Sequence, residues 1–559
     1  ATFAYAQDIT VNGTVVDDTG EPVIGATVMV EGTSNGTTTD LDGNFSLKVA
    51  KNAKLKITYI GYDPQTLPAK NGMKVVLKTN SVVLGGVEVV AYGVQKKVTV
   101  TGAIASVKGE ELTRTPVASV NNVLAGQLTG VTTVQTSGEP GADAATIYVR
   151  GKGTWAKDGA KPLIQVDGVE RSMEGIDPED IESITVLKDA SATAVFGVRG
   201  ANGVILITTK RGKEGQARVD VSTSFSLVTP TEMVKQASSY EYATFYNQMQ
   251  LNDYEGPMES FTPQFSDAII QKFKDGSDPI RFPSIRWADY TMKKRTLQTK
   301  SNVNISGGTK DVRYYVSAGL MTQGGMFKEF GYDEGFSYNY ERFNYRANLD
   351  LDVTPTTTIT LGVAGLISNQ KRPRSGEGTT ALIRAMYQAV PFSSAGIIDG
   401  RPILTTTDVG AGGLALPING GSGLTYILGS GNTGGAYHDN YNKLETDLQL
   451  NQKLDFITKG LSFRAKGSYN SQFGVRKEIT VNRATYNPVM QPDGSILYRK
   501  NGNDDKPAYK ETPSKARDWY AEAALNYNRT FGFHTVGALV LYNQSKTYYP
   551  KEFSDIPQG

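Results

Sequence analysis

In the stretch FNYRANLDLDV, Phe343, Tyr345, Ala347, Leu349, Leu351 and Val353 alternate without a break with Asn344, Arg346, Asn348, Asp350 and Asp352. Alternation at period two puts every apolar side chain on one face of a strand and every polar one on the other. The same rhythm recurs in RVDVSTSFSL, DVRYYVSAGL, LETDLQLNQKL and LSFRAKGSYN, and more loosely in SNVNIS, TITLGVAGLI, DWYAEAALNYN and HTVGALVLY, giving about nine candidate strands after Arg218. Their connections alternate too. Residues 307–310, 354–357, 456–460 and 529–533 make tight links, whereas the intervening ones run from roughly 20 to over 70 residues. Short turns at one rim, long loops at the other and strands with one apolar and one polar face are the requirements of an outer-membrane barrel. A soluble sandwich has no such loop rhythm. Tyr338, Tyr340, Phe343, Trp519 and Tyr520 lie near strand ends, where an interfacial aromatic girdle is expected.

Composition agrees with a β-rich chain of more than one domain. Among 559 residues, 60 Gly and 29 Tyr favour strands joined by turns, and the length exceeds one ordinary core. The 58 basic and 56 acidic residues are interspersed, with no basic block suited to tracking phosphates, so nucleic acid is not an expected partner. Cysteine is absent, which removes disulfides, thiolate ligands and thiol nucleophiles. His438 and His534 belong to no H-x-x-E or H-E-x-x-H pattern, so neither a metal site nor an enzyme is expected. No run of about 18 apolar residues occurs, which leaves strands as the means of crossing a membrane. At the start, Ala4-Tyr5-Ala6 before Gln7 has the small-x-small form of a signal-peptide end, so residues 1–6 are expected to be a signal remnant.

Residues 7–80 read as a small β-sandwich of short alternating strands, among them ITVNGTVVD, ATVMVEG, KLKITYIGY and KVVLK. Asp40, Asp42 and Asn44 have the start of a calcium-loop spacing, but the bidentate Glu is missing, so Asp42-Gly43 is expected to be a hairpin turn. Residues 98–214 are mixed. VNNVLAGQLTGV has helical spacing, with Val120, Val123, Leu124 and Leu128 on one side, while TIYVRGKG, PLIQVDGV, IESITVLKD and GVILITTKRG read as strands. Gly151 to Ala156 faintly echoes a dinucleotide loop but lacks the following helix and spaced acid, so it reads as a tight exposed loop.

Between these regions GGVEVVAYG holds a strand-prone core, Val87, Glu88, Val89, Val90, Ala91 and Tyr92, flanked by glycines. A lone six-residue strand cannot satisfy its own backbone groups and needs a neighbouring sheet, a partner chain or water.

The pattern G-x-V-x-D from Gly13 to Asp17, with PVIGATVMVEGT and TDLDGNF after it, resembles the carboxypeptidase regulatory-like domain, an Ig-like module without catalytic residues. LKDASATAVFGVRGANGVILITTKRGKEG, Leu187 to Gly215, resembles the plug signature of the SusC/RagA family of TonB-dependent outer-membrane transporters. YVRGKGTW, PLIQVDGV, VNNVLAGQLTGV and NISGGTKDVRYYVSAG are similar to further landmarks of that family. The resemblance implies a mainly β fold: the sandwich at 7–80, a TonB box and linker at 81–97, a plug at 98–214, and at 215–559 the first part of a large antiparallel barrel of about 22 strands. Nine strands would leave two edges unpaired in lipid, so the chain is expected to be the N-terminal part of a longer polypeptide.

The resemblance further implies import of a nutrient, an oligosaccharide or alternatively a peptide, with no bond broken and no cofactor. It places the N-terminal domain in the periplasm and the barrel in outer-membrane lipid, beneath a SusD-like surface lipoprotein and energised by TonB with ExbB and ExbD. Homodimers of the transporter–lipoprotein pair are a further implied state. Val87 to Tyr92 is then the strand left unpaired for TonB, and Lys152, Thr154, Trp155, Lys157 and Asp158 are candidate cargo contacts. A secreted adhesin or glycan-binding β-protein would explain the sandwich and the aromatics, but neither the outward apolar faces nor the plug signature. An enzyme with an appended sandwich lacks a catalytic constellation.

Overall fold

A computed structural model describes residues 8–17, 20–33, 35–59, 62–77, 87–90, 93–96, 104–115, 117–154, 160–330, 338–374, 379–404, 433–531 and 534–548. The chain divides into two compact units, residues 1–106 with 187–200, and residues 107–186 with 201–559.

In the first unit Asp8–Asp17 lies between Asn44–Ala50 and Met73–Leu77, and Gly36–Thr38, Thr27–Val30, Lys54–Thr58 and Gln65–Pro68 form a second sheet. Alternation decides what packs between them: Phe45, Leu47 and Val49 are buried while their neighbours along the strand are exposed. They join Val11, Val15, Val28, Leu55, Ile57 and Leu77 in one core. The Asp40 carboxylate accepts from the amides of Asp42 (3.0 Å) and Asn44 (2.8 Å), and Gly43 has φ +75°, so the acidic triplet is a hairpin turn. Because strands, turns and core are all local, a fragment from Gln7 to Thr79 is expected to melt in one cooperative thermal transition. A non-cooperative melt of the soluble monomer would contradict its independence. The same unit includes the turn Ala194–Gly200, where Gly197 adopts φ +57° and a Cβ on Gly200 would come within 2.9 Å of the Thr193 carbonyl. These glycines serve backbone geometry.

In the second unit Ile181–Leu187, Val204–Thr209, Leu163–Val166 and Val169–Glu170 lie side by side in a mixed sheet. Ile181, Ile184, Val186, Val204 and Val166 are fully buried, which gives this sheet a core of its own. The expected helix is shorter than its pattern. Only Val120–Val123 is helical, capped by Ser119 Oγ accepting from the Asn121 amide; Gly126 at φ +73° and Gly130 at φ +78° turn the chain out of the helix. Val120, Val123, Leu124 and Leu128 are nevertheless all buried, as their spacing predicts.

Nine strands then form one antiparallel sheet in chain order: β1 (Gly215–Val228), β2 (Thr296–Gly308), β3 (Val312–Gly324), β4 (Asn339–Thr354), β5 (Thr357–Pro373), β6 (Thr433–Lys453), β7 (Leu461–Asn482), β8 (Ala508–Phe531) and β9 (His534–Tyr548). All nine sequence-read strands are present. The usual burial rule is inverted along them: Asn302, Asn304, Arg342, Asn344, Arg346 and Asn348 are buried, while Val221 (69 %), Phe225 (73 %), Leu448 (55 %) and Phe473 (50 %) are exposed. Water would not tolerate such an outer face, but lipid requires it.

The expected aromatic girdle is only partly present. Phe343 and, by register, Trp519 lie on the outer face, but Tyr338 is buried in a loop core, Tyr340 packs on Gly141, and the Tyr520 hydroxyl donates to Glu522 on the inner face. Proximity to a strand end does not fix a face; parity does. The described parts of the long connections carry structure of their own. Ser239–Asn252 starts in a capping box between Ser238 and Glu241, and its Ala243 joins Phe265, Ile269, Phe273, Phe282 and Phe392 in one apolar cluster. A second cluster is centred on fully buried Trp287, whose indole donates to the Val390 carbonyl (3.1 Å).

Candidate functional site

Two candidate features stand out, one in each unit. In the first, Val87–Val90 is paired antiparallel with Gly93–Lys96, with Val87 opposite Lys96 and Val90 opposite Gly93. The expectation of a wholly unpaired strand is therefore corrected. One edge of Val87–Val90 is thereby satisfied locally. The pair is a sheet of two strands, so among the described residues the opposite edge of Val87–Val90 has no strand against it. Antiparallel partners alternate between hydrogen-bonded and non-bonded pairs. With Val90 and Gly93 bonded across the connection, Val89 stands opposite Val94 in a non-bonded pair, and its N–H points to the open edge. Ala91 and Tyr92 lie outside the described residues.

In the second unit the inner face of the sheet meets the plug segment through charge. The Arg171 guanidinium, just beyond Val169–Glu170, forks onto Asp447 of β6 (2.6 and 2.8 Å) and also donates to Ser468 (2.7 Å) and Asn470 (2.9 Å) of β7. Its side chain is 3 % exposed. Asp177 pairs with Lys300 of β2 (2.7 Å), and Asp180 lies 3.5 Å from Arg346 of β4 while accepting from Tyr315 (3.1 Å) and Ser317 of β3. Arg211 reaches Asp350 (2.9 Å), Asn348 donates to the Lys210 carbonyl (2.7 Å), and Lys466 donates to the Asp167 carbonyl. Burial pushes the Asp180 carboxyl up, with Arg346 opposing the shift only in part. Burial would raise Asp167 as well, but Arg211, Arg346 and the Thr209 amide together hold it below its ordinary value.

The side-chain contacts named here are charged or polar and mostly buried. Ion pairs and amide hydrogen bonds can be exchanged for water at little net cost. Separating an apolar interface of the same extent would instead expose oily surface. The plug's own apolar core lies in its mixed sheet. Close backbone approach occurs at Gly212, where a Cβ would strike the Tyr314 backbone. Gly212→Ala is thus expected to destabilise the seated state by about 1–3 kcal/mol, read as a lower urea midpoint for plug release. An unchanged midpoint would show that this approach is not needed.

Higher on the same inner face the Tyr437 ring lies between Arg372 (4.9 Å) and Arg476 (5.2 Å), and both guanidinium groups pair with Asp439 (3.3 and 2.6 Å). Of the candidate cargo contacts, Lys152 is exposed and Thr154 half-buried in an irregular segment after Thr146–Val149, while Trp155, Lys157 and Asp158 lie outside the described residues. Sequence reasoning did not single out Arg171, Asp177 or Asp180. Their signal was the unusual charge of the wall positions facing them, Lys300, Arg346 and Asp447, amid mostly neutral polar neighbours.

Comparison with known proteins agrees with this architecture. Residues 96–204 match the TonB-dependent Receptor Plug Domain family and residues 11–90 the CarboxypepD_reg-like domain family. TonB-dependent receptor SusC of Bacteroides thetaiotaomicron is 36 % identical over 357 residues, covering 62 % of this chain and 32 % of SusC. TonB-dependent receptor P39 of Formosa agariphila is 31 % identical over 568 residues, covering 98 % of this chain and 47 % of P39. Among solved structures, the RagAB peptide importer in its open-open state superposes with a TM-score of 0.59 at 20 % identity, over 83 % of this chain and 50 % of that one. That likeness concerns the fold, and the chain spans a third to a half of the relatives it matches. With an Ig-like module, a plug and nine strands of an outer-membrane wall in the family's order, the chain belongs to the SusC/RagA family of TonB-dependent receptors.

Proposed function

We propose that this chain supplies the coupling strand, the plug and part of the wall of a transporter that imports oligosaccharides across the outer membrane. The carrying observation is the charged, exchangeable contact between plug and wall, centred on Arg171 and Asp447. In this reading residues 7–80 are a periplasmic sandwich, 81–97 the TonB box and linker, 98–214 the plug and 215–559 the wall. TonB, driven by ExbB and ExbD, adds a strand to the open edge of Val87–Val90 and pulls; wall contacts are exchanged for water, and a path opens. Cargo enters from beneath a SusD-like lipoprotein, and no bond is broken. The loop with Lys152 and Thr154 is the proposed upper contact for cargo. Kinship with SusC supports this reading over the adhesin alternative. A peptide cargo is the second reading, favoured by the two guanidinium groups and the Asp439 carboxylate around Tyr437, which suit zwitterionic chains.

The test is uptake of labelled neutral oligosaccharides and labelled short peptides by cells carrying the full-length transporter, with and without TonB. TonB-dependent uptake of the sugar alone supports the reading. Uptake of peptide alone replaces the cargo assignment, and TonB-independent entry of either overturns the coupling mechanism.

A further inference from the structure

Between the plug segment 174–180 and the inner faces of β4 to β6 the wall contact is interrupted by a partly open recess of about 300 Å³. By register Arg346, Ala364 and Glu445 stand directly opposite one another on β4, β5 and β6, and all three line it together with Asp180 of the plug. Neighbouring strands lie about 4.8 Å apart, so about 10 Å of wall separates Arg346 from Glu445, with only the Ala364 methyl between them. The gap has a charged border and no side chain to fill it.

Three observations bear on what occupies it. Arg346 Nε is buried without a hydrogen-bond partner among the described residues, and its ion pair with Asp180, at 3.5 Å, is longer than the roughly 2.8 Å of a charge-assisted hydrogen bond. On the other side, Glu445 Oε1 pairs with Lys443 (2.6 Å) yet accepts no hydrogen bond among the described residues. A buried donor and a buried acceptor thus border the same gap. Finally, the charges already balance: Arg346 is matched by Asp180, Lys443 by Glu445 and Lys300 by Asp177, while the remaining lining carboxylate, Glu174, is exposed. An ion would upset that balance. The gap calls for a small neutral molecule that both donates and accepts, and water meets buried polar groups in this way.

We propose that the recess is a water-binding site built into the plug–wall contact: ordered water accepts from Arg346, donates to Asp180 and Glu445, and joins the plug to β4 and β6 across Ala364. It rests on the seated geometry of plug and wall, not on the import reading or on any cargo. Because the recess is partly open, solvent reaches the inner wall here while the plug is in place, and this link exchanges with bulk water ahead of the buried Arg171 fork.

The experiment uses the full-length transporter in bilayers and reads the urea concentration at which plug release raises single-channel conductance. Ala364→Leu fills the gap with carbon and strands its donor and acceptor, so its midpoint should fall below the parent's. Ala364→Gln sets an amide where the water lies, its carbonyl available to Arg346 and its N–H to Glu445, and should release at or above the parent's midpoint. A dry gap requires the reverse order: leucine raises the midpoint by filling a void, and glutamine lowers it by burying an amide. That order overturns the proposal. If crowding lowers both midpoints, a second measurement decides. With the plug seated and no urea, Ala364→Cys should react with a small neutral thiosulfonate about tenfold or more faster than Asn302→Cys, a buried inner-face position outside the recess that must await local opening. Equal rates, or protection of both until the plug is released, overturn the water site.

Discussion

Replacing Val89 by proline in the full-length transporter is expected to abolish TonB-dependent uptake while leaving cargo binding nearly intact. Proline removes one N–H and fixes φ near −65°. In the hairpin Val89 stands in a non-bonded pair with Val94, so its N–H faces the open edge and its loss spares the bonds to Gly93–Lys96. The substitution therefore strikes the bond a partner strand would accept. Val89→Ile keeps both the backbone pattern and the β-propensity and should transport normally. Glu88→Pro, at a bonded position opposite Gln95, should break the hairpin itself. Surface expression must be matched, with uptake and equilibrium binding measured on the same cells. Normal uptake by Val89→Pro, or a fall in binding as large as the fall in uptake, would remove this strand from energy coupling.

Arg171→Met is expected to loosen the plug more than any other single change in the wall contact. It leaves Asp447, 18 % exposed, without the fork that neutralises it, and removes the donors held by Ser468 and Asn470. Removing one partner of a buried pair costs about 3–5 kcal/mol, because the remaining charge is left uncompensated. The urea concentration at which plug release raises single-channel conductance should fall accordingly. Arg171→Lys keeps the charge but not the fork and should lie between. Adding Asp447→Asn to Arg171→Met should restore part of the loss, with a coupling of about 0.5–3 kcal/mol. Unchanged conductance in Arg171→Met would mean that the ion pair does not seat the plug.

Much of the wall was legible because lipid imposes a rule that single residues cannot evade. In β4 every odd position from Phe343 to Val353 had to be apolar, and the parity that reveals a strand also reveals its face. Loop length supplied the second signal, since tight turns fall only on one rim. The misses have one physical source: contacts that depend on a distant segment leave no local pattern. Nothing around Arg171 predicts Asp447, 276 residues away. Helical spacing at Val120 to Leu128 was real, but the spacing records which side is buried, while Gly126 and Gly130 decide how far the helix runs. Likewise Gly93–Lys96, with Val94 as its one apolar residue, has no alternation to mark it as a strand, yet it follows Val87–Val90 after two residues and pairs with it.

The central claim is that β1 to β9 cross the outer membrane with their apolar face to lipid and the plug segment on the other side. This chain contains no cysteine, so single cysteines can be introduced into it one at a time for spin labelling. The decisive measurement is the relaxation of such labels by oxygen and by a water-soluble nickel complex in the full-length transporter reconstituted into bilayers. Labels at Val303, Val316 and Leu361 should respond strongly to oxygen and weakly to nickel, while those at Asn302, Ser317 and Gly362 should be shielded from oxygen. Alternation of this kind along β2, β3 and β5 is the result the account predicts. Equal access to nickel at both sets of positions, or oxygen access at the inward-facing set, would contradict it.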